Sequence, residues 1–192
     1  LGRQIADGIN SATVVTPVSL LSLALLATPR HAMDATLLAR QLDGYRTLVG
    51  QSPYTGRVIV TPMTGLEIID YCEQLGLLQR QPHPLGDVLC LTPEHAVLLT
   101  YARNNILHLF AVPALIACLL TQNPELSRSQ LATLLQTLYP FLRGELFLRW
   151  RDDELPGVID GQLASLAALG WIRPSGSDDG WAAPATNSDA YF

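Results

Sequence analysis

Helix-start signals constrain the fold of this chain more than any other feature of its sequence. Residues able to cap the first turn of a helix occur at six places: Thr16 ahead of Pro17, Asp34, Thr64 with Glu67, Thr92 ahead of Pro93, Ser127 with Gln130, and Asp152. Leucines recur at helical spacing in the segments that follow. The sequence therefore predicts a mainly helical protein, with one helix ending at Tyr139-Pro140 and a long one that breaks before Pro113.

Short strands are predicted after two glycines that end helices. Gly76 is followed by apolar runs at 77–81 and 87–91, and Gly170 by runs at 171–174 and 181–184, each pair separated by a turn. A further short strand is predicted at 58–60. The predicted fold class is therefore mainly α with small β-hairpins (α+β).

A weak internal repeat relates the two halves of the chain. A shift of 94 residues superimposes Gly76 on Gly170 and four further pairs: Leu75 and Leu169, Leu37 and Leu131, Tyr45 and Tyr139, Leu48 and Leu142. Two tandem winged-helix-like units would explain this order of elements. Chance matching of leucines at helical spacing is the alternative explanation.

Composition limits the class of partner. The net charge is −5, which argues against a nucleic-acid groove because such a groove needs clustered positive charge. Hydrophobic residues make up 48% of the chain and charged residues only 15%. We therefore expect an ample core, and a surface partly covered by another domain, a partner or lipid.

Two apolar segments raise the question of a membrane. Residues 106–120 and 17–27 are the longest such runs, and both fall short of the roughly 20 residues that span a bilayer. Both are interpreted as buried core helices, with a membrane-lying surface as the other reading. Cys72, Cys90 and Cys118 are widely spaced, which predicts free thiols in a reducing compartment.

The residues that could support catalysis form no recognisable motif. The histidines are His31, His83, His95 and His108, and neither they nor the cysteines have metal-ligand spacing. His83 and Asp87 could form an orienting pair, although a polar hairpin tip is the favoured reading. The acidic run at 152–154 is interpreted as a helix cap, so no catalytic residue, metal or cofactor is predicted.

The segment YARNNILH, residues 101–108, is the one unusual polar feature. On a continuous helix Tyr101, Asn104, Asn105 and His108 share a face, and Arg103 lies beside them. Uncharged polar groups in so apolar a segment need hydrogen-bond partners. Two hypotheses stay open here: an internal hydrogen-bond network, or a docking face.

Three segments resemble the C-terminal region of the bacterial glycerol-3-phosphate acyltransferase family. They are TPVSLLSLALLATPR (16–30), GDVLCLTPEHAVLLTYARNNILHLF (86–110) and YPFLRGELFLRWRDDELPGVID (139–160). The resemblance covers residues 9–172, in the same order and spacing. It implies a parent enzyme of phospholipid synthesis that transfers an acyl group from acyl-CoA or acyl-ACP to the 1-hydroxyl of glycerol-3-phosphate.

The resemblance carries no catalytic residue onto this chain. The family uses a histidine base and an aspartate five residues later, whereas the residues five after the four histidines are Thr36, Val88, Thr100 and Pro113. The chain starts at Leu1 within helix-like sequence, so we expect a piece from downstream of a catalytic domain. Residues 1–30 are then a helical connection from that domain, 31–125 a first helical and hairpin unit, and 126–192 a second unit with a tail.

Two functions are compatible with these observations. The first is a non-catalytic region of the acyltransferase, whose partners are the upstream catalytic domain and a membrane surface, at the cytoplasmic face of the inner membrane. The second is an independent winged-helix-like module for protein interaction. The acidic charge and the resemblance favour the first.

Overall fold

A computed structural model describes residues 2–123, 125–175 and 179–184 of the chain. The helices are α1 Gly2–Ser11, α2 Pro17–Leu26, α3 Ala35–Gln51, α4 Gly65–Gln74, α5 Ala96–Asn104, α6 Leu107–Gln122, α7 Arg128–Leu146 and α8 Leu155–Ala168. The strands are β1 Val14–Val15, β2 Ala32–Asp34, β3 Ile59–Val60, β4 Leu78–Gln81, β5 Val88–Leu91, β6 Leu126–Ser127, β7 Arg173–Pro174 and β8 Gly180–Ala182. The predicted class, mainly α with small β, is confirmed.

Four of the six predicted helix starts carry the expected cap. Asp34 accepts hydrogen bonds from the amides of Thr36 and Leu37, both at 2.9 Å. Three further helices begin with a capping box, at Thr16, Thr64 and Ser127. In each box the side chain of the cap residue accepts from the backbone amide three residues later, and that residue's side chain accepts from the amide of the cap residue. These contacts are local in sequence, so the sequence pattern was sufficient to place them.

Two predicted starts and one predicted end are wrong. Thr92 does not cap a helix, because its hydroxyl donates to the carbonyl of Gly76 at 2.9 Å; a 3-10 turn follows at Pro93–His95, and α5 begins at Ala96. Helix α8 begins at Leu155 rather than at Asp152, because Glu154 accepts from the Arg151 amide at 2.8 Å and residues 152–154 form a turn. Helix α7 does not end at Pro140 but runs through it. Pro140 and the residue four positions earlier, Gln136, are both exposed, so water can satisfy the carbonyl that the proline ring leaves unpaired.

Both predicted hairpins are confirmed, and each has a third strand that the sequence did not reveal. In the first sheet β5 lies between β2 and β4, and in the second β8 lies between β6 and β7, with all pairs antiparallel. The predicted strand at 58–60 is also present, as β3, and pairs in parallel with β1. Part of the turn predicted after 174, residues 176–178, lies outside the described residues, as do residues 185–192.

The two sheets belong to matching sequences of elements. Each runs strand, helix, helix, strand, strand, with the same spatial order of strands, apart from β3, which lies between α3 and α4 and pairs with β1. At the helix ends the backbone repeats bond for bond: Gly76 donates to the carbonyl of Glu73 and Gly170 to that of Ala167, both with φ near +70°. The internal repeat is therefore present in the order of elements, and a winged-helix-like classification stays a prediction.

We expect substitution of either glycine by alanine to lower the stability by about 1 kcal/mol, because a Cβ disfavours the left-handed conformation. A Cβ at Gly76 or Gly170 would meet no atom within 4 Å, so conformation alone should set the effect. Urea unfolding of each variant measures it. Gly144→Ala is the control, since that glycine is helical and equally open. Equal stability of all three variants would contradict the prediction.

Contacts group the chain into two compact units. One, the central unit, is Ser11–Leu107, and the other, the composite unit, is Leu1–Asn10 together with His108–Phe192. The boundaries predicted from the sequence lie between residues 30 and 31 and between residues 125 and 126. The observed limits differ from them because the long apolar segment is interrupted at Asn105-Ile106 and its two halves belong to different units. The division into 1–30, 31–125 and 126–192 stays a prediction about the parent polypeptide.

The apolar helices supply the cores of these units. In the central unit α2 packs against α3, α4 and α5, with Leu20, Leu21 and Leu25 fully buried. In the composite unit α6 buries Phe110, Val112 and Ile116. Among the described residues no single helix combines the length and hydropathy of a membrane span, and Val97–Asn104 with Leu107–Gln122 reaches both only as a bent pair.

Candidate functional site

The polar segment 101–108 does not form one helical face. Helix α5 ends at Asn104 and α6 begins at Leu107, so the predicted continuous stripe is wrong. A break does precede Pro113, but it lies at Asn105-Ile106, and α6 continues through the proline. Asparagine side chains compete for backbone hydrogen bonds and weaken a helix, and here two occur in succession just before the fully buried Ile106.

The part of the segment on α5 is exposed. The side chains of Tyr101, Asn104 and Asn105 face solvent, and half-buried Arg103 donates from Nε and Nη2 to Asn104 Oδ1 at 3.2 and 3.0 Å. Val97 and Leu98 are exposed on the same helix, which adds apolar area beside the amides. This surface, called the α5 face below, comprises Val97, Leu98, Tyr101, Asn104 and Asn105.

The α5 face lies opposite the packed side of its helix. Leu99 is fully buried, and α5 packs against the apolar helix α2. The exposed residues are spaced by three, four and seven positions along the helix, which places them on one side of it. An apolar patch rimmed by polar groups is the usual composition of an interaction surface.

His108, by contrast, belongs to an internal network. Its ring is buried, and Nε2 donates to the carbonyl of Asn10 at 3.1 Å. The Asn10 side chain donates in turn to the carbonyls of Leu146 and Phe147, at 2.8 and 3.3 Å, at the end of α7. Burial lowers the pKa of His108, and the hydrogen bond to Asn10 opposes this more weakly. The histidine is thus favoured in its neutral form.

Asn10 is the member of this network that sequence reasoning missed. It satisfies two carbonyls beside Phe147, whose left-handed backbone ends α7. A single asparagine near the end of a short helix gives no sign of a partner more than 130 residues away. Only the tertiary structure of the composite unit, to which α1 belongs, brings Asn10 and these two carbonyls together.

The candidate pair His83 and Asp87 has structural partners. His83 Nδ1 accepts from the Leu85 amide at 3.2 Å, and Asp87 pairs with Arg80 at 3.2 Å, so Asp87 is engaged with a cation rather than with His83. Arg80 also binds Glu73 at 2.7 Å, which ties the hairpin to α4. The polar hairpin tip is therefore the better interpretation of 83–87.

The acidic run at 152–154 also lies in exposed ion pairs. Asp152 is 3.4 Å from Arg143, and Asp153 is 3.4 Å from Arg151. Exposed pairs of this kind contribute only about 0–1 kcal/mol to stability. No pair of carboxylates is buried there for proton transfer.

The described part of the chain gives no support for a metal site or for Cys72 as a nucleophile. No group of three or more histidine, cysteine, aspartate or glutamate side chains in those residues is placed to hold a metal ion. The three cysteines are free thiols, and burial raises the pKa of Cys72 to about 12. A thiol held in this protonated state is a poor nucleophile.

Comparison with known proteins identifies the family. A family model described as the glycerol-3-phosphate acyltransferase C-terminal region matches residues 1–191. Proteins named glycerol-3-phosphate acyltransferase from Pseudomonas paraeruginosa and Xanthomonas axonopodis pv. citri are each 43% identical, over 100% and 94% of this chain. One from Xylella fastidiosa is 43% identical over 93% of the chain.

The chain spans 23%, 20% and 21% of the length of these relatives. No solved structure matches it. The match to the family model extends over nearly the whole chain, beyond the residues 9–172 on which the resemblance was recognised. The chain therefore belongs to the family of glycerol-3-phosphate acyltransferase C-terminal regions.

Proposed function

We propose that this chain is a non-catalytic region of an enzyme that acylates the 1-hydroxyl of glycerol-3-phosphate. The observation that carries the proposal is the family match over residues 1–191, in relatives of which the chain is the C-terminal 23%. The site chemistry agrees, because His108 serves a structural hydrogen bond and His83 sits in a turn. The reaction itself would then be carried out by residues upstream.

The role proposed for the region is to cover and position the catalytic domain. The α5 face supplies a suitable contact, since Tyr101 and the two asparagines offer hydrogen bonds around the exposed Val97 and Leu98. Arg103, held by Asn104, could pair with a carboxylate on the partner. Association of the whole enzyme with the cytoplasmic face of the inner membrane is part of the same proposal.

The test of catalysis is an acyl-transfer assay on the purified 192-residue chain and on the full-length parent. We expect turnover from the parent and none from the chain, because general acid-base catalysis contributes about 10²–10⁴-fold and none of the four histidines has the aspartate five residues later that the family uses. Acyl-CoA and acyl-ACP are both offered as donors with glycerol-3-phosphate. Turnover by the chain above a heat-inactivated control would overturn the non-catalytic assignment.

The test of the α5 face uses Asn104→Ala and Tyr101→Ala. Because both side chains are exposed, we expect the unfolding free energy of the isolated chain to change by less than about 0.5 kcal/mol. In the full-length enzyme the same substitutions should lower activity. Glu94→Ala, at an exposed position before α5, is the control. A large loss of stability in the isolated chain would show instead that these residues support the fold.

An independent protein-interaction module was the alternative function. The family match favours the acyltransferase region over it, since the relatives carry the enzyme's name. A module of that kind should bind a partner from another polypeptide. The acyl-transfer assay of the parent enzyme separates the two functions.

A further inference from the structure

A second exposed apolar surface lies on α7, in the composite unit. Leu134, Leu138 and Phe141 are spaced by four and three residues, so they lie on one side of the helix, and all three are exposed. Leu131, Leu135 and Tyr139 form the buried side of the same helix. Helix α7 thus presents an apolar side to solvent next to its buried side, and Leu134, Leu138 and Phe141 are called the α7 face below.

The internal repeat provides a helix in the central unit with which this side of α7 can be compared. Helix α3 occupies the place of α7 in the central unit, and the caps Asp34 and Ser127 align the two. The alignment superimposes two pairs of buried leucines, Leu38 with Leu131 and Leu42 with Leu135. This alignment shifts the sequence by one residue less than the 94 residues that relate the two glycines. The two copies of the repeat therefore differ slightly in length.

In this alignment the α7 face corresponds to Gln41, Tyr45 and Leu48. Tyr45 and Leu48 are 3% and 2% exposed, whereas Leu138 and Phe141 are 39% and 73% exposed. In the register set by the two helix caps, these positions are buried in the central unit and exposed among the described residues of the composite unit.

In the central unit α3 packs against α2 and α4 of the same chain. Arg46 of α3 donates to the carbonyls of Thr61 and Pro62, at 3.3 and 3.1 Å, and so holds the connection between α3 and α4 against the helix. Tyr54 in that connection is buried. The corresponding connection in the composite unit, residues 147–154, is shorter than residues 52–64. Among the described residues of the composite unit, the connection that follows α7 is therefore the shorter of the two.

We propose that the α7 face is covered in the full-length enzyme by the region of the same polypeptide that precedes this chain. The inference rests on the proposed function for the identity of that region. Two observations favour this occupant. The matched segment is only the C-terminal 23% of the relatives, which leaves a large upstream region at high effective concentration. The α7 face carries no charge, and its neighbours Gln130 and Thr137 carry none either; the exposed Glu145, one turn beyond Phe141, places a charge at its end. An uncharged face with a charged border suits a largely apolar protein surface.

The proposal separates this surface from the α5 face. The two lie on different units and on helices that are unrelated by the internal repeat. Loss of one contact therefore need not abolish the other. Each can be tested with its own substitutions.

Thiol labelling of full-length enzyme and isolated chain tests the proposal. Phe141→Cys is introduced in a Cys118→Ser background, because Cys118 is exposed, and its maleimide labelling is followed by mass spectrometry. We expect this thiol to react about tenfold more slowly in the full-length enzyme than in the isolated chain, since a covering surface restricts access. Gln136→Cys, exposed on the opposite side of α7, is the matched control and should react equally in both.

Equal reaction of Phe141→Cys in the two proteins would overturn the proposal. Slow reaction in the isolated chain that speeds up on dilution would overturn it as well, since a second copy would then be the occupant. The acyl-transfer assay on the same full-length protein distinguishes the failures. If the full-length enzyme is active and Phe141→Cys is labelled equally in both proteins, only the proposed α7 contact is wrong. If Phe141→Cys is protected in the full-length protein but that protein has no acyl-transfer activity, only the proposed enzymatic function is wrong.

Discussion

Replacing Gly65 by alanine should destabilise the central unit by about 3 kcal/mol, the upper end of the range for overpacking a tight contact. A Cβ at this position would come closer to the backbone carbonyl oxygen of Ala39 than any real contact allows, with the Ala39 carbonyl carbon at 2.8 Å. Both neighbours are backbone of α3, so no side chain can rotate away. Helix α4 would have to move off α3.

The displacement would also break a hydrogen bond at the start of α4. The Gly65 amide donates to Asp43 Oδ1 at 2.8 Å, and Asp43 also pairs with Arg46 at 2.8 Å. Urea unfolding followed by circular dichroism measures the loss. Gly50→Ala is the matched control, because Gly50 lies in α3 with no atom within 4 Å of its Cβ position, and there we expect a gain of up to about 1 kcal/mol. Unchanged stability of Gly65→Ala would contradict the close helix contact.

The second large effect is expected at His108. Replacement by phenylalanine keeps the ring but removes the Nε2 donor, so the buried Asn10 carbonyl loses that bond, at a cost of about 1–3 kcal/mol. Replacement by glutamine keeps an amide donor and should cost less. All three tryptophans, Trp150, Trp171 and Trp181, lie in the composite unit, so tryptophan fluorescence reports its unfolding. Equal stability of the phenylalanine variant and the wild type would contradict the network.

His108 should also make stability depend on pH. Its pKa is lowered in the folded state, so below the ordinary histidine value of about 6.5 the unfolded chain binds more protons at this site than the folded chain. The stability contributed by neutral His108 is therefore complete above pH 6.5. It declines as the pH falls from there and is lost once the pH passes the folded pKa.

The comparison of wild type with His108→Gln isolates this effect. We expect the difference in unfolding free energy between the two proteins to change between pH 7.5 and about pH 5, with the wild type losing relatively more. His83→Gln, at the exposed hairpin tip, is the control for removing a histidine as such. If the difference between wild type and His108→Gln is the same at both pH values, His108 does not titrate as the structure implies.

The elements that the sequence determined by itself are those held by local bonds. Thr16, Asp34, Thr64 and Ser127 cap helices through amides two or three residues away, and Gly76 and Gly170 end helices through their own backbone conformation. Hairpins joined by short turns are local in the same sense. The family, too, was recognisable from short runs of residues.

The tertiary structure alone decided which strands complete each sheet and which polar groups are satisfied. Strand β2 joins β5 across more than fifty residues, and β6 is only two residues long, too short for any alternating pattern. Similarly, His108 and Asn10 meet across 98 residues. The pattern of one helix cannot reveal such partners, because it depends only on neighbours along the chain.

The candidate site shows the same division. The sequence identified residues 101–108 as unusual, since uncharged polar side chains in an apolar segment need partners. Whether those partners are internal was decided by the break at Asn105-Ile106, which leaves Asn104 exposed and buries His108. Two successive asparagines weaken the helix at this point, but the complete burial of Ile106 that accompanies the break is known only from the tertiary structure.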